Sequence, residues 1–130
     1  TIVIKGVGID LVENARVKNI FSRFGYLFAK KILSVNELRE FSQTQKKINF
    51  LAKRFASKEA LSKSIGIGLY REGLSPKIID IKKDSLGKPS IKLNKELKII
   101  LNKYSINRLH LSVSDTDDLS TAIVIAEGEE

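Results

Sequence analysis

Glu59 and Lys63 stand one helical turn apart in the segment KRFASKEALSK, and Asp10 stands in the otherwise apolar run GVGIDLV. A carboxylate can take a proton or hold a hard cation, and an ammonium can neutralise a developing oxyanion. At about 100° per residue, Ile48, Ala52, Phe55 and Ala56 fall on one stripe of a helix. Glu59 and Lys63 continue that stripe. A helix that buries this face must bury two charges with it or open the stripe onto a cleft, because unpartnered buried charge is costly. The same i,i+4 order, with Glu on the N-terminal side, also suits an ordinary solvated pair. The stripe alone leaves both readings open.

Asp10 and Glu59, in a chain with no cysteine and one histidine, fit an oxygen-binding cation such as Mg²⁺ better than zinc. Magnesium is usually held by one or two carboxylates plus substrate phosphates and water. His110, the single histidine, lies on the Ser112/Ser114 face of an alternating strand pattern, which is either solvent-facing or a site. The net charge of +8 favours an acidic partner: nucleic acid, anionic lipid, a phosphorylated small molecule or an acidic protein. Lys46, Lys47, Lys53, Arg54, Lys58 and Lys63 crowd one segment. Neither a Walker pattern nor GxGxxG is present. A basic nucleic-acid-binding domain without catalysis is the competing reading. It accounts for the charge but gives Asp10 and Glu59 no work, and only Phe50 and Phe55 interleave with the basic residues.

The elements that must position these residues follow from pattern. Residues 2 to 12 read as a strand interrupted by Gly6 and Gly8, not as a signal peptide. Val17, Ile20, Phe21 and Phe24 give residues 14 to 24 helical spacing. Ser34 and Glu37 form a capping-box pattern that opens a helix through about Phe41. The long helix is expected from about Gln45 to Ile65, ended by Gly66 and Gly68. Residues 77 to 83 and 89 to 93 read as two strands around a turn at 84–87. Asn94 caps a helix through about Tyr104. LHLSVSD and LSTAIVIAE read as two last strands. The mixture lacks a regular βαβ rhythm, so the expectation is α+β, one domain over residues 1–130, with a largely antiparallel sheet against a long central helix. No apolar run approaches membrane-spanning length, and the lack of cysteine excludes disulfides, so a cytoplasmic location is the expectation.

Gly8-Ile9-Asp10 and Lys58-Glu59-Ala60-Leu61-Ser62-Lys63 resemble the two signatures of the short bacterial 4′-phosphopantetheinyl transferases, the holo-acyl-carrier-protein synthase family. LGKP (86 to 89) looks like that family's turn before a strand, and HLSVSDT (110 to 116) like its C-terminal strand. The four motifs occur in order, and the resemblance is collinear over essentially the whole chain. It implies the 4′-phosphopantetheinyl transferase fold. It also implies transfer of 4′-phosphopantetheine from coenzyme A to a serine of apo-acyl carrier protein, for fatty acid biosynthesis, with release of adenosine 3′,5′-bisphosphate. By the same resemblance Asp10 and Glu59 match Mg²⁺ ligands, and Glu59, or a metal-bound water it orients, matches the base. Lys63 matches the lysine that meets the departing phosphate. Arg54, Ser62, Lys63, Lys88, Pro89 and His110 match coenzyme A contacts, and Arg16 a carrier-protein contact. The resemblance further implies a homotrimer with sites at subunit boundaries and no membrane or nucleic-acid partner. Asp115 stands where some relatives carry histidine, and the pattern gives it no role. Related transferases that serve peptide- or polyketide-synthase carriers usually have a duplicated domain, which this length does not fit.

Overall fold

The computed structural model describes residues 1–130. The first strand, β1 (Ile2–Glu13), passes without a loop into helix α1 (Asn14–Phe24). Asn14 fixes that junction. Its amide donates to the carbonyls of Thr116 and Asp117 at 3.2 and 3.0 Å, and it accepts the Ser120 hydroxyl at 2.7 Å. Helix α2 (Tyr26–Ile32) follows at Gly25, whose φ of 57° turns the chain between the two helices. The pattern did not reveal α2, which has no side-chain cap. Helix α3 (Val35–Gln43) opens with the expected reciprocal bonds: Ser34 N–H donates to Glu37 Oε1 at 2.8 Å, and Glu37 N–H donates to Ser34 Oγ at 3.2 Å.

The long helix α4 (Lys47–Ile65) starts two residues after the expected Gln45 and ends at Gly66, which is left-handed at φ 91°. Eleven of its 19 residues are buried, so it is covered on more than one face. The expected stripe is graded along its length. Ala52 and Ala56 are fully buried, Phe55 and Glu59 are half-buried, and Lys63 is exposed.

After α4 the structure corrects the sequence reading. Pro76–Ile78 is a 3-10 turn rather than the start of a strand, with Ile79 N–H bonded to Pro76 O at 3.2 Å. Proline sets the helical φ and brings no donor for a ladder. Only β2 (Ile81–Lys83) pairs, antiparallel, with β3 (Pro89–Ile91), which is shorter than the expected 89–93. Asp84 shapes the turn between them, its Oδ1 accepting the N–H groups of Leu86 and Lys88, both at 2.9 Å. Helix α5 (Lys95–Lys103) is capped by Asn94, which accepts from Leu97 N–H at 2.9 Å. Strands β4 (Arg108–Asp115) and β5 (Leu119–Glu129) complete an antiparallel sheet in the order β1-β5-β4.

One face of that sheet carries Ala122, Val124 and Ala126, which pack with Ala56, Ala60 and Leu61 of α4 in the core. The opposite face carries Val7, Ile9 and Leu11 beside Ile123 and Ile125, with His110 and Ser112 on β4. Val7, Ile9 and Leu11 are 54%, 61% and 63% exposed. No helix is long and apolar enough to cross a membrane.

Candidate active site

Two glycines set the distance between β1 and α4. A Cβ on Gly6 would meet Ser64 O, and one on Gly8 would meet Ala60 O, each at 1.9 Å, far inside contact distance. With glycine at both positions the strand backbone lies directly on the helix backbone. Asp10, two residues past Gly8, shares its strand face and is carried to the side of α4 that bears Glu59 and Lys63.

Three of the expected residues meet there. Lys63 Nζ donates to Asp10 Oδ1 at 3.1 Å and to Ile9 O at 3.0 Å. Burial, then the charge of Asp10, push the Glu59 carboxyl above the usual range, while Lys63 pulls it back. The hydrogen bonds of Lys63 go to β1, and Glu59 feels it only through its charge. Asp10, Glu59 and Arg16 line one cleft of about 330 Å³, together with Glu13, Phe28 and Phe55. No third histidine, cysteine or acid joins the two carboxylates to make a closed metal cage. The donor set fits a hard cation that takes its other ligands from phosphate and water, and a dication would relieve the repulsion felt at Glu59.

The other expected residues are divided. Arg54 is buried, its Nη1 lying 3.4 Å from both Glu37 Oε2 and Glu40 Oε2 and its guanidinium 4.3 Å above the Phe50 ring. With Pro89 it lines a second cleft of about 120 Å³, which also takes Lys53, Lys83, Gly87 and Asp115. Lys88 is exposed in the β2–β3 turn beside it. Ser62 is buried and donates to Glu59 O at 2.7 Å, so within this chain it supports the backbone of α4 rather than a cleft. His110 lies on the far face of the sheet, its Nε2 2.6 Å from Glu127 Oε1, and does not meet Asp10 within one chain.

Sequence reasoning missed what holds α4 in place. Lys58, read only as part of a basic run, is fully buried. Its ammonium donates to Ile32 O, Pro76 O and Glu37 Oε1, so all three donors are used. Glu37 also accepts from Ile81 N–H at 3.2 Å. Lys58 and Glu37 thus bind α2, α3, the 3-10 turn and β2 to the helix turn that presents Glu59. Burial pulls the Lys58 ammonium below its ordinary value, and Glu37 opposes that shift. The second cleft also takes Lys53, read only as part of the basic run, and Lys83, which sequence reasoning did not single out. The signal for Lys83 was its place three residues before the LGKP turn.

Comparison with known proteins shows the family and the fold. Residues 6–124 match the model of the 4′-phosphopantetheinyl transferase superfamily. A holo-[acyl-carrier-protein] synthase of Nitrosospira multiformis is 41% identical over 124 residues, covering 95% of this chain and 98% of the relative. The crystal structure of a holo-[acyl-carrier-protein] synthase from Neisseria meningitidis superposes with a TM-score of 0.90 at 41% identity, covering 98% of this chain and all of that one. The Helicobacter pylori holo-[acyl-carrier-protein] synthase in complex with coenzyme A gives a TM-score of 0.80 at 32% identity, covering 92% of this chain and 98% of that one.

Proposed function

The chain belongs to the 4′-phosphopantetheinyl transferase superfamily, and from that premise we propose how its residues carry out the reaction of a holo-[acyl-carrier-protein] synthase. The enzyme transfers 4′-phosphopantetheine from coenzyme A to a serine of apo-acyl carrier protein. Holo-carrier and adenosine 3′,5′-bisphosphate are the products. The observation that carries the mechanism is the convergence of Asp10, Glu59 and Lys63 where β1 crosses α4.

The serine oxygen attacks the phosphorus that bears pantetheine. A new O–P bond forms, and the bond from that phosphorus to the bridging pyrophosphate oxygen breaks. Glu59, ionised, takes the serine proton directly or through a water. Lys63, held by Asp10, faces the phosphate that leaves and neutralises the charge it gains. Asp10 and Glu59 would hold Mg²⁺. Bound there, the ion would supply charge compensation for the pyrophosphate.

Arg16, exposed in the same cleft, serves the acidic carrier. Arg54, Lys88 and Pro89 serve the coenzyme. Residues 1–130 act as one transferase domain in fatty acid biosynthesis in the cytoplasm, and the net charge of +8 suits an anionic coenzyme and an acidic carrier. The enzyme works as a homotrimer with sites at subunit boundaries. The exposed Val7, Ile9 and Leu11 support that reading, since an apolar sheet face of this kind is ordinarily covered. On the same face, His110 would meet a neighbouring copy and its coenzyme.

The test is intact mass of apo-acyl carrier protein incubated with the chain, coenzyme A and Mg²⁺. A gain of one phosphopantetheine supports the reading. An unchanged carrier with folded enzyme overturns it.

A further inference from the structure

The coenzyme side of the molecule holds more positive charge than its own carboxylates balance. Two adjoining clefts of about 560 and 120 Å³ share Phe50, Lys53, Lys83 and Asp115. Arg54 lines the smaller one but is already committed to Glu37 and Glu40. Burial, followed by the charges of Lys53 and Arg54, holds the Lys83 ammonium below its ordinary value, with Glu40 and Asp115 opposing. Lys83 itself makes no ion pair.

Asp115 is the one carboxylate paired with Lys53, its Oδ2 lying 3.9 Å from Nζ. It is well anchored. Asn49 Nδ2 donates to the same oxygen at 3.2 Å. Its register partner on β5, Ser120, is buried and bonded to Asn14 at 2.7 Å. A carboxylate fixed in this way inside a cationic cleft presents to Lys53 the chemistry that a phosphate oxygen would present.

We infer that Asp115 is an affinity-setting counterion of the coenzyme cleft: it holds Lys53 at the cleft wall and competes with a ligand phosphate for that ammonium. Removing it strengthens binding of the coenzyme and of the bisphosphate product, so its presence favours product release. The inference rests on the reading of these clefts as the coenzyme's.

The experiment is steady-state kinetics at one fixed low ionic strength, with adenosine 3′,5′-bisphosphate as inhibitor. In Asp115→Asn, which keeps the size of the side chain and removes its charge, KM for coenzyme A and the inhibition constant of the bisphosphate should both fall about fivefold, the scale of a half-exposed ion pair. KM for the carrier should not move. Lys53→Gln should raise both coenzyme-side constants, and Asp115→Asn should have no further effect in that background. Unchanged or raised constants in Asp115→Asn overturn the inference. So does an equal shift in carrier KM, or a full shift persisting without Lys53. In each of those cases active wild-type enzyme leaves the transferase reading standing. A wild-type chain that transfers nothing overturns both.

Discussion

Lys63 reaches from α4 to β1, where its Nζ lies 3.1 Å from Asp10 Oδ1. The pair joins residues 53 positions apart, so it reports the tertiary crossing rather than helix periodicity. It also frees Glu59, one turn earlier, from the partner that its own helix offers. Three groups of the proposed reaction are thereby separated into a held ammonium, the carboxylate that holds it, and a carboxylate left to take a proton.

Asp10→Ala and Glu59→Gln should each abolish transfer while the fold survives. For Glu59 the linkage gives a sign. Its folded-state pKa is raised, so between the ordinary and the raised value the folded chain binds more proton than the unfolded chain. Stability therefore falls as pH rises through that window, and at neutral pH the ionised carboxylate is a liability. In chelator-treated buffer at neutral pH, Glu59→Gln should unfold in urea at the wild-type midpoint or above it. A lower midpoint, or wild-type transfer rates in either variant, contradicts the assignment.

Lys58→Met should be the most destabilising single change in α4. It removes an ammonium with three partners and leaves Glu37, 1% exposed, with less of its compensating charge. Breaking a buried pair from one side costs about 3–5 kcal/mol. Urea denaturation monitored by circular dichroism measures it. A loss no larger than that of an exposed lysine on the same helix would show that the cluster is incidental.

These two predictions also mark what the sequence could and could not reveal. Asp10, Glu59 and Lys63 were legible because charge interrupted an apolar pattern. The capping box at Ser34 and Glu37 and the stop at Gly66 were legible because each is a local rule. Lys58 was not, because a lysine in a basic run looks solvated until its partner is known, and Glu37 lies 21 residues away. Glu37 was read correctly as a cap, yet nothing in three-residue spacing tells that its carboxylate also anchors Arg54, Lys58 and Ile81. Helix α2 was hidden by a glycine start and the lack of a capping side chain. The 3-10 turn at Pro76 was hidden because the apolar residues after it read equally well as a strand.

Arg16→Glu should raise KM for the carrier far more than KM for coenzyme A. Arg16 is exposed and lines the cleft that holds Asp10 and Glu59, which shares no lining residue with the cleft of Arg54 and Pro89. The change removes attraction to an acidic partner and adds repulsion. Added salt should weaken carrier use by the wild type through the same charges. Steady-state kinetics with each substrate varied in turn is the measurement. Equal effects on both substrates would move Arg16 to the coenzyme or to the fold.

Lys63→Ala should lower kcat by roughly 10²–10³, by analogy with loss of one preorganised donor at a developing oxyanion. The ammonium is half-exposed but fixed at two points, Asp10 Oδ1 and Ile9 O, so it is already placed before substrate arrives. Negative charge on the leaving bisphosphate grows as the pyrophosphate bond breaks. A fixed cation beside it therefore stabilises the transition state more than the ground state, and the loss should fall on kcat rather than on KM for coenzyme A. Folding should be little affected, since the ion pair lost is largely solvated. Lys63→Arg should not restore full activity, because a bulkier planar guanidinium does not reproduce the compact ammonium held at Asp10 Oδ1 and Ile9 O. Steady-state kinetics of the folded variants decides. If Lys63→Ala kept kcat and raised only KM for coenzyme A, Lys63 would be a ground-state binding residue, and its pairing with Asp10 would serve the crossing of β1 and α4 instead of the leaving group.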